Sequence, residues 1–138
     1  MTHFIALAVA RPGETVEGLL APYSETLEVE PYLDGGELTT YNPRSIWDWW
    51  VIGGRWSGAF YPEDHCSVAT FVADIEASKH QHLPRIVFDR DGTLERGEQG
   101  WFGYTANNHD EVEWRGLMLR RLREHDPEEL VVFLDLHI

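Results

Sequence analysis

Two apolar runs near the ends of the chain decide the predicted fold: HFIALAVA, residues His3–Ala10, and LVVFLDLHI, residues Leu130–Ile138. The first run ends at the turn residues Arg11-Pro12-Gly13, and the second is rich in residues that favour strands. Each run therefore predicts a buried β-strand. The rest of the chain has to supply elements that cover these two strands.

The elements between the two strands follow from residue spacing. A helix beginning near Val16 is expected to break or kink at Pro22, because proline loses a helix hydrogen bond and clashes one turn back. A weaker helical pattern covers Val68–Ile75. The segment Ile86–Glu95 has the glycine-ended turn of a β-hairpin. Asp110 has the spacing of a helix cap, and the helix that it begins is expected to run toward Pro127.

This order of elements predicts an α+β fold, a ferredoxin-like sandwich with an antiparallel sheet and two helices. The tryptophan-rich stretch is then an insertion after the first helix. In such a sandwich the first and last strands are antiparallel neighbours, which places His3 near His137. Residues 1–138 have the size of a single domain with its own core.

The tryptophan-rich stretch, Asn42–Phe60, holds four of the six tryptophans together with acidic and basic side chains and the Gly53-Gly54 pair. Its pattern is compatible with a helix that begins at Ser45 and equally with a strand at Trp49–Ile52. Aromatic faces stack on flat rings, and arginine binds phosphate or carboxylate groups in a bidentate manner. The same tryptophans also suit a purely structural cluster, since aromatic side chains dominate protein cores.

The candidate functional residues come from this stretch and from the glycine-rich segment GEQGWFG, residues 97–103. Those predicted to bind a ligand are Asn42, Trp47, Asp48, Trp50, Arg55, Trp56, Glu98 and Trp101. Those predicted to act in acid–base catalysis are Asp48, Glu98 and His137. Each carboxylate also has a structural interpretation. A buried Asp48 needs a charged partner, for which Arg55 is the natural choice, and Glu98 suits a solvated loop.

Composition excludes several classes of function. The net charge of −13 lacks the basic surface that general nucleic-acid binding requires. The single cysteine, Cys66, rules out an internal disulfide and is compatible with the cytoplasm. Neither a signal peptide nor a membrane span is evident. No pair of histidines or cysteines has a recognised zinc spacing, and no cofactor fingerprint is present, so we expect no metal and no cofactor.

Three stretches give the chain a resemblance to a family of small proteins from actinobacteria and their phages. They are Asn42-Pro43 with the WDWWVIGGRW run at Trp47–Trp56, the GEQGWFG segment, and the C-terminal Asp135-Leu136-His137-Ile138. The related sequences tend to have tyrosine in place of Trp50 and methionine in place of Gln99. The resemblance implies a common fold and a habitat, and it implies no particular activity.

The sequence leaves three functions open. The first is a module that binds, and in a phage setting sequesters, a small anionic or nucleotide-like ligand between the tryptophans and Arg55. The second is a small acid–base enzyme that uses Asp48, Glu98 and His137 in the same pocket. The third is an acidic module for binding other proteins. A homodimer is compatible with each of these functions.

Overall fold

The computed structural model describes residues 3–99 and 105–138, and within them ten strands and three α-helices. The strands are β1 (His3–Ala10), β2 (Tyr32–Asp34), β3 (Glu37–Thr39), β4 (Trp49–Ile52), β5 (His65–Ser67), β6 (Ile86–Asp89), β7 (Gly92–Glu95), β8 (Gly97–Gln99), β9 (Thr105–Asn107) and β10 (Leu130–His137). The helices are α1 (Val16–Leu20), α2 (Val68–Glu76) and α3 (Glu111–Leu122).

The two apolar runs at the chain ends lie side by side within the main sheet, as predicted. Strands β1 and β10 pair antiparallel along their whole length, with His3 opposite His137. The strand order is β4-β10-β1-β6-β7, and β5 pairs with the same edge of β10 as β4 does. The strands β2 and β3, and likewise β8 and β9, form separate two-stranded sheets.

The fold class, α+β, is confirmed, but the antiparallel sheet with two helices is wrong. The sheet is mixed, since β1 and β6 pair in parallel, and the described part of the chain has three α-helices. A ferredoxin-like sandwich places a third strand between its two parallel strands, whereas here they are direct neighbours. The reason lies in the hairpin, because β6 is buried at every position and β7 is not. The apolar run Ile86–Phe88 is typical of a strand inside a sheet that is covered on both faces.

Local signals predicted several element boundaries correctly. Helix α1 ends at Leu20, and a short 3-10 turn that contains Pro22 follows it. Helix α2 has the weak pattern predicted from Val68 onward, and the side chain of Ser67 caps it. The carboxylate of Asp110 caps α3 by accepting a hydrogen bond from the backbone N–H of Glu113 at 2.8 Å. These ends follow from short-range chemistry, which a sequence shows directly.

The tryptophan-rich stretch joins the main sheet. Its residues Trp49–Ile52 form β4, so the alternative of a strand describes this segment better than a helix from Ser45. Strand β4 pairs with the C-terminal half of β10, and β5 pairs with the N-terminal half. Between them lies the loop at Gly53–Gly58, where the backbone N–H of Gly53 donates to the carbonyl oxygen of Phe133 and the Asp64 carboxylate accepts hydrogen bonds from Ser57 and Gly58.

Two apolar layers cover the two faces of the sheet. On one face, Leu7 and Phe133 pack beneath α2 and α3. On the other face, Phe4 and Leu134 pack beneath α1 and the tryptophan-rich stretch. Of the helices in residues 3–99 and 105–138, none is long and apolar enough to cross a bilayer.

Candidate functional site

One end of the main sheet carries histidine and carboxylate side chains on a single face. Because side chains alternate along a strand, Asp135 and His137 share the face of Phe133. His3 lies opposite His137 across the β1–β10 pair, and Trp49 lies opposite His137 across the β10–β4 pair. Residues from the first, fourth and last strands therefore meet at one place.

The two histidines at this place each form a pair with a carboxylate. His3 Nδ1 lies 2.9 Å from Oδ1 of Asp135, and His137 Nδ1 lies 2.8 Å from Oδ1 of Asp48. The two imidazole rings contact each other edge to face, with 4.6 Å between their centroids. Two histidine–carboxylate pairs thus form one cluster, which we call the paired-histidine site: His3, Asp135, His137 and Asp48.

The hydrogen bonds define which ring nitrogen is available for chemistry. An ionised carboxylate only accepts hydrogen bonds, so Nδ1 of each histidine carries the proton that it donates. In a neutral ring the lone pair then resides on Nε2. Within residues 3–99 and 105–138, no hydrogen bond engages Nε2 of His3 or of His137. Both rings are therefore oriented by one nitrogen and leave the other to take up or release a proton.

The paired-histidine site borders an open surface cleft of about 520 Å³, lined by His3, Asp48, Trp49 and His137. Within the site, Asp135 is almost completely buried, whereas the Asp48 side chain is 32% exposed. The indole of Trp49 is half exposed and stands edge-on to the His137 ring, with 5.8 Å between the centroids. The cleft therefore combines two oriented imidazoles with an accessible aromatic surface.

The Gly53-Gly54-Arg55 sequence holds the buried carboxylate of Asp135. The backbone N–H of Arg55 donates a hydrogen bond to Oδ2 of Asp135 at 2.9 Å, which leaves Oδ1 for His3. Gly54 lies directly against Asp135 with a φ of +53°. A Cβ atom at this position would lie 2.7 Å from the Cβ of Asp135 and 2.6 Å from Val51. Only glycine allows the loop to approach the carboxylate this closely.

Replacing Gly54 by alanine is expected to lower the free energy of unfolding by about 2–4 kcal/mol. About 1 kcal/mol of this reflects the left-handed backbone, and the remainder reflects overpacking against Asp135. Gly58→Ala is the matched control in the same loop, because Gly58 also has a positive φ, of +75°, but has open space around its Cα. We expect it to cost only about 1 kcal/mol. Urea unfolding of both variants tests the difference, and equal costs would show that Gly54 has no packing role.

Three residues predicted to bind a ligand make structural contacts. Trp47 and Trp50 pack against the apolar layer beneath α1, and the indole N–H of Trp47 donates to the carbonyl oxygen of Leu20 at 3.0 Å. Asn42 is 1% exposed, and its amide donates to the carbonyl oxygens of Pro22 and Ser24. Their ligand-binding roles stay predictions, and none of the three lines the cleft beside the paired histidines.

The other predicted residues lie in different surroundings. Asp48 is bonded to His137, and no Asp48–Arg55 ion pair occurs in the described part of the chain. Arg55 has an exposed side chain, and Trp56 follows it in a 3-10 turn. Glu98 lies on β8, which pairs with β9 outside the main sheet. Trp101 lies outside the described residues. The structure thus joins two of the three predicted catalytic residues, Asp48 and His137.

Sequence reasoning placed His3 near His137 but did not include His3 or Asp135 among the site residues. Two signals identify them. Asp135 stands two positions before His137 on a predicted strand, so both share one face of the sheet. Pairing β1 with β10 then places His3 beside His137. No sequence pattern predicts that the Gly53–Arg55 loop bonds Asp135, because the position of this loop depends on the path of the chain between β4 and β5.

Metal and thiol chemistry have little support in the described residues. In residues 3–99 and 105–138, no group of three or more His, Cys, Asp or Glu side chains is arranged to hold a metal ion. The pKa of the Cys66 thiol is raised to about 11, and burial is the largest cause of this rise. The thiolate is the reactive form of cysteine, so Cys66 is a poor nucleophile at neutral pH.

The chain was compared with models of protein families, with curated proteins and with solved structures. It matches none of them. The geometry of the paired-histidine site is therefore the basis for the function proposed below, and the resemblance to actinobacterial and phage proteins stays a prediction.

Proposed function

We propose that this protein is an acid–base catalyst that acts on a small molecule in the cleft beside the paired-histidine site. The observation that carries the proposal is the pair of imidazoles in mutual contact, each oriented through Nδ1 by a carboxylate. Orienting an imidazole in this way sets its tautomer and prepares Nε2 for proton transfer. One histidine in such a pair serves as a general base while the other, protonated, serves as a general acid.

The residues around the cleft limit the type of reaction. Its lining residues, His3, Asp48, Trp49 and His137, include no hydroxyl, thiol or amine nucleophile. Asp48 is engaged by His137, and the two imidazoles are assigned to proton transfer, so the proposal assigns the attack to water or to a group of the substrate itself. One imidazole takes the proton from the attacking oxygen of this nucleophile as that oxygen bonds to the electrophilic atom of the substrate. The other, as imidazolium, gives its proton to the leaving group as the old bond breaks, and proton exchange with solvent resets both rings.

Trp49 indicates how the substrate is bound. Its half-exposed indole beside His137 offers a surface on which a flat ring stacks. Arginine has no place among the cleft-lining residues, and Arg44 lies over the ring of Tyr23, 5.1 Å from its centroid. The proposal therefore keeps the small-molecule ligand expected from the sequence and transfers its recognition from arginine to Trp49. The cytoplasm stays the expected compartment.

Product formation in defined and complex mixtures tests this proposal. The purified protein is incubated with p-nitrophenyl acetate, bis(p-nitrophenyl) phosphate and cyclic adenosine monophosphate, and separately with a metabolite extract of the cells that produce it. The blank is the double variant His3→Gln/His137→Gln, verified as folded by circular dichroism. Turnover that the wild type shows and the blank lacks supports acid–base catalysis. Identical mass-spectrometric profiles for both proteins across all mixtures would overturn it.

Asp48→Asn is expected to lower turnover about 10- to 100-fold, because it removes the charge-assisted hydrogen bond that orients His137. A purely structural role would affect stability alone. A positioning role also alters the limb of the curve of turnover against pH that depends on proton transfer by His137. The matched control is Glu63→Gln, which neutralises an exposed carboxylate in the segment between β4 and β5. Unchanged turnover in Asp48→Asn would show that His137 is oriented without it.

A further inference from the structure

The hairpin formed by β2 and β3 presents apolar side chains to solvent. Leu33 and Leu38 lie directly opposite each other on the two strands. They are 71% and 73% exposed, more than any other leucine among the exposed large hydrophobic residues of residues 3–99 and 105–138. Exposing such a pair forgoes the favourable burial of apolar surface, at about 25 cal/mol per Å².

The same hairpin carries an unfavourable pair of charges. Asp34 and Glu37 are cross-strand partners next to the Gly35-Gly36 turn. Like charges directly opposite each other destabilise a sheet. The surrounding segment, residues 24–41, contains five acidic residues and no lysine, arginine or histidine: Glu25, Glu28, Glu30, Asp34 and Glu37. Because side chains alternate along a strand, Leu33 and Leu38 form an apolar pair on one face of the hairpin, and Asp34 and Glu37 form an acidic pair on the other face.

Hydrogen bonds within its own segment close the base of the hairpin, and the backbone N–H of Glu25 joins this base to the tryptophan-rich stretch by donating to the carbonyl oxygen of Trp47 at 2.8 Å. The Tyr32 hydroxyl donates to the carbonyl oxygen of Tyr41 at 2.8 Å, and the backbone N–H of Val29 donates to the carbonyl oxygen of Thr40 at 3.0 Å. The buried Asn42 then ties the end of the segment to Ser24 at its start. A two-stranded hairpin is only marginally stable alone, so these contacts hold it in a fixed presentation.

We propose that the β2–β3 hairpin inserts into a groove of a partner protein, with an apolar wall of the groove against Leu33 and Leu38 and an opposite wall that carries lysine and arginine side chains against Asp34 and Glu37. Such a groove would bury Leu33 and Leu38 and would neutralise the Asp34–Glu37 pair, which are the two features that disfavour the free hairpin. Charge complementarity would accelerate association and select against other acidic proteins.

A second copy of this chain is a poor binding partner for the hairpin. Its net charge is −13, and two hairpins in contact would bring acidic segments together. Like charges across an interface are costly. The small size of the hairpin is typical of a transient contact with a different protein. This inference is independent of the paired-histidine site.

The test is a comparison of three full-length proteins as affinity baits in a lysate of the cells that produce the protein. They are the wild type, Leu33→Ser/Leu38→Ser, and Asp34→Asn/Glu37→Gln. Because all four side chains are exposed, the variants are expected to fold normally, and thermal unfolding verifies this. A captured protein is then purified and titrated against each bait by calorimetry at low and high salt.

The proposal expects one captured protein whose affinity falls at least about tenfold with the serine substitutions, the equivalent of about 1.4 kcal/mol. Its affinity also falls with salt, and less steeply for Asp34→Asn/Glu37→Gln than for the wild type. Several results overturn the proposal: equal capture by all three baits, no captured protein that the wild type retains selectively, or affinity without salt dependence. Leucine-dependent self-association in light scattering would overturn it in favour of a second copy.

Discussion

Replacing His137 by glutamine is expected to lower turnover about 10²- to 10⁴-fold, and replacing His3 is expected to have an effect of the same order. Glutamine cannot exchange a proton at neutral pH, so either change removes one of the two groups that the proposed reaction needs. Turnover of the substrate identified in the mixtures is the measurement. Because the two histidines act as a unit, the double variant should be little slower than the slower single variant.

The pH dependence of turnover separates this role from a structural one. A general base and a general acid that act together give a bell-shaped profile, and each single variant should lose one limb of the bell. The matched control is His65→Gln, because His65 is an exposed histidine on β5, which also pairs with β10. Reductions of the same size in His65→Gln, or multiplicative losses in the double variant, would contradict a paired acid–base mechanism.

The fold was predictable where local chemistry decides it. The apolar runs that form β1 and β10, the proline after α1 and the aspartate before α3 act over a few residues, and each prediction agrees with the structure. The order of strands depends on a comparison between distant segments. Three consecutive apolar residues in β6, Ile86–Phe88, beside a less apolar β7 were the signal that β6 rather than β7 pairs directly with β1, and the ferredoxin-like prediction did not use this signal.

The site was predictable in part for the same reason. The sequence placed His3 near His137 because strand pairing follows from the two terminal runs, and the structure confirms that proximity. It predicted Arg55 as the partner of Asp48, since opposite charges pair, but His137 occupies that position. The role of Arg55 in the site comes from its backbone N–H, which bonds Asp135. Backbone groups have no signature in the side-chain pattern.

A second group of buried ionisable residues lies at the opposite end of the main sheet, and it shows how the paired-histidine site differs. His125 has a completely buried side chain, with Nε2 at 2.8 Å from Asp89 and Nδ1 at 2.5 Å from Glu129. Arg121 makes two hydrogen bonds to the Asp89 carboxylate, each of 2.7 Å. Both nitrogens of His125 are occupied, so this histidine has a structural role, whereas His3 and His137 each retain a nitrogen for proton transfer.

Asp89→Asn is expected to lower the free energy of unfolding by about 3–5 kcal/mol at neutral pH. The amide keeps the volume of the carboxylate but removes its charge, which leaves Arg121 without its buried counter-ion, while His125 keeps Glu129 as a partner. Asp91→Asn is the matched control two residues along the same hairpin, where the carboxylate is exposed. Surface carboxylates contribute little, so we expect a change within about 0.5 kcal/mol. Urea unfolding of both variants gives the comparison.

The effect of Asp89→Asn is also expected to depend on pH in a defined direction. Burial raises the pKa of Asp89, but hydrogen bonds from Arg121, from His125 and from the backbone of Asp91 outweigh it, so the pKa lies below its ordinary value of 3.8. Asp89 therefore contributes its full stability above pH 3.8, and this contribution is lost as the pH falls through the lower folded pKa. The gap in stability between wild type and Asp89→Asn should narrow in that acidic range. A constant gap would show that the cost of Asp89→Asn arises from packing, because only a lost charge interaction vanishes when the carboxylate itself is protonated.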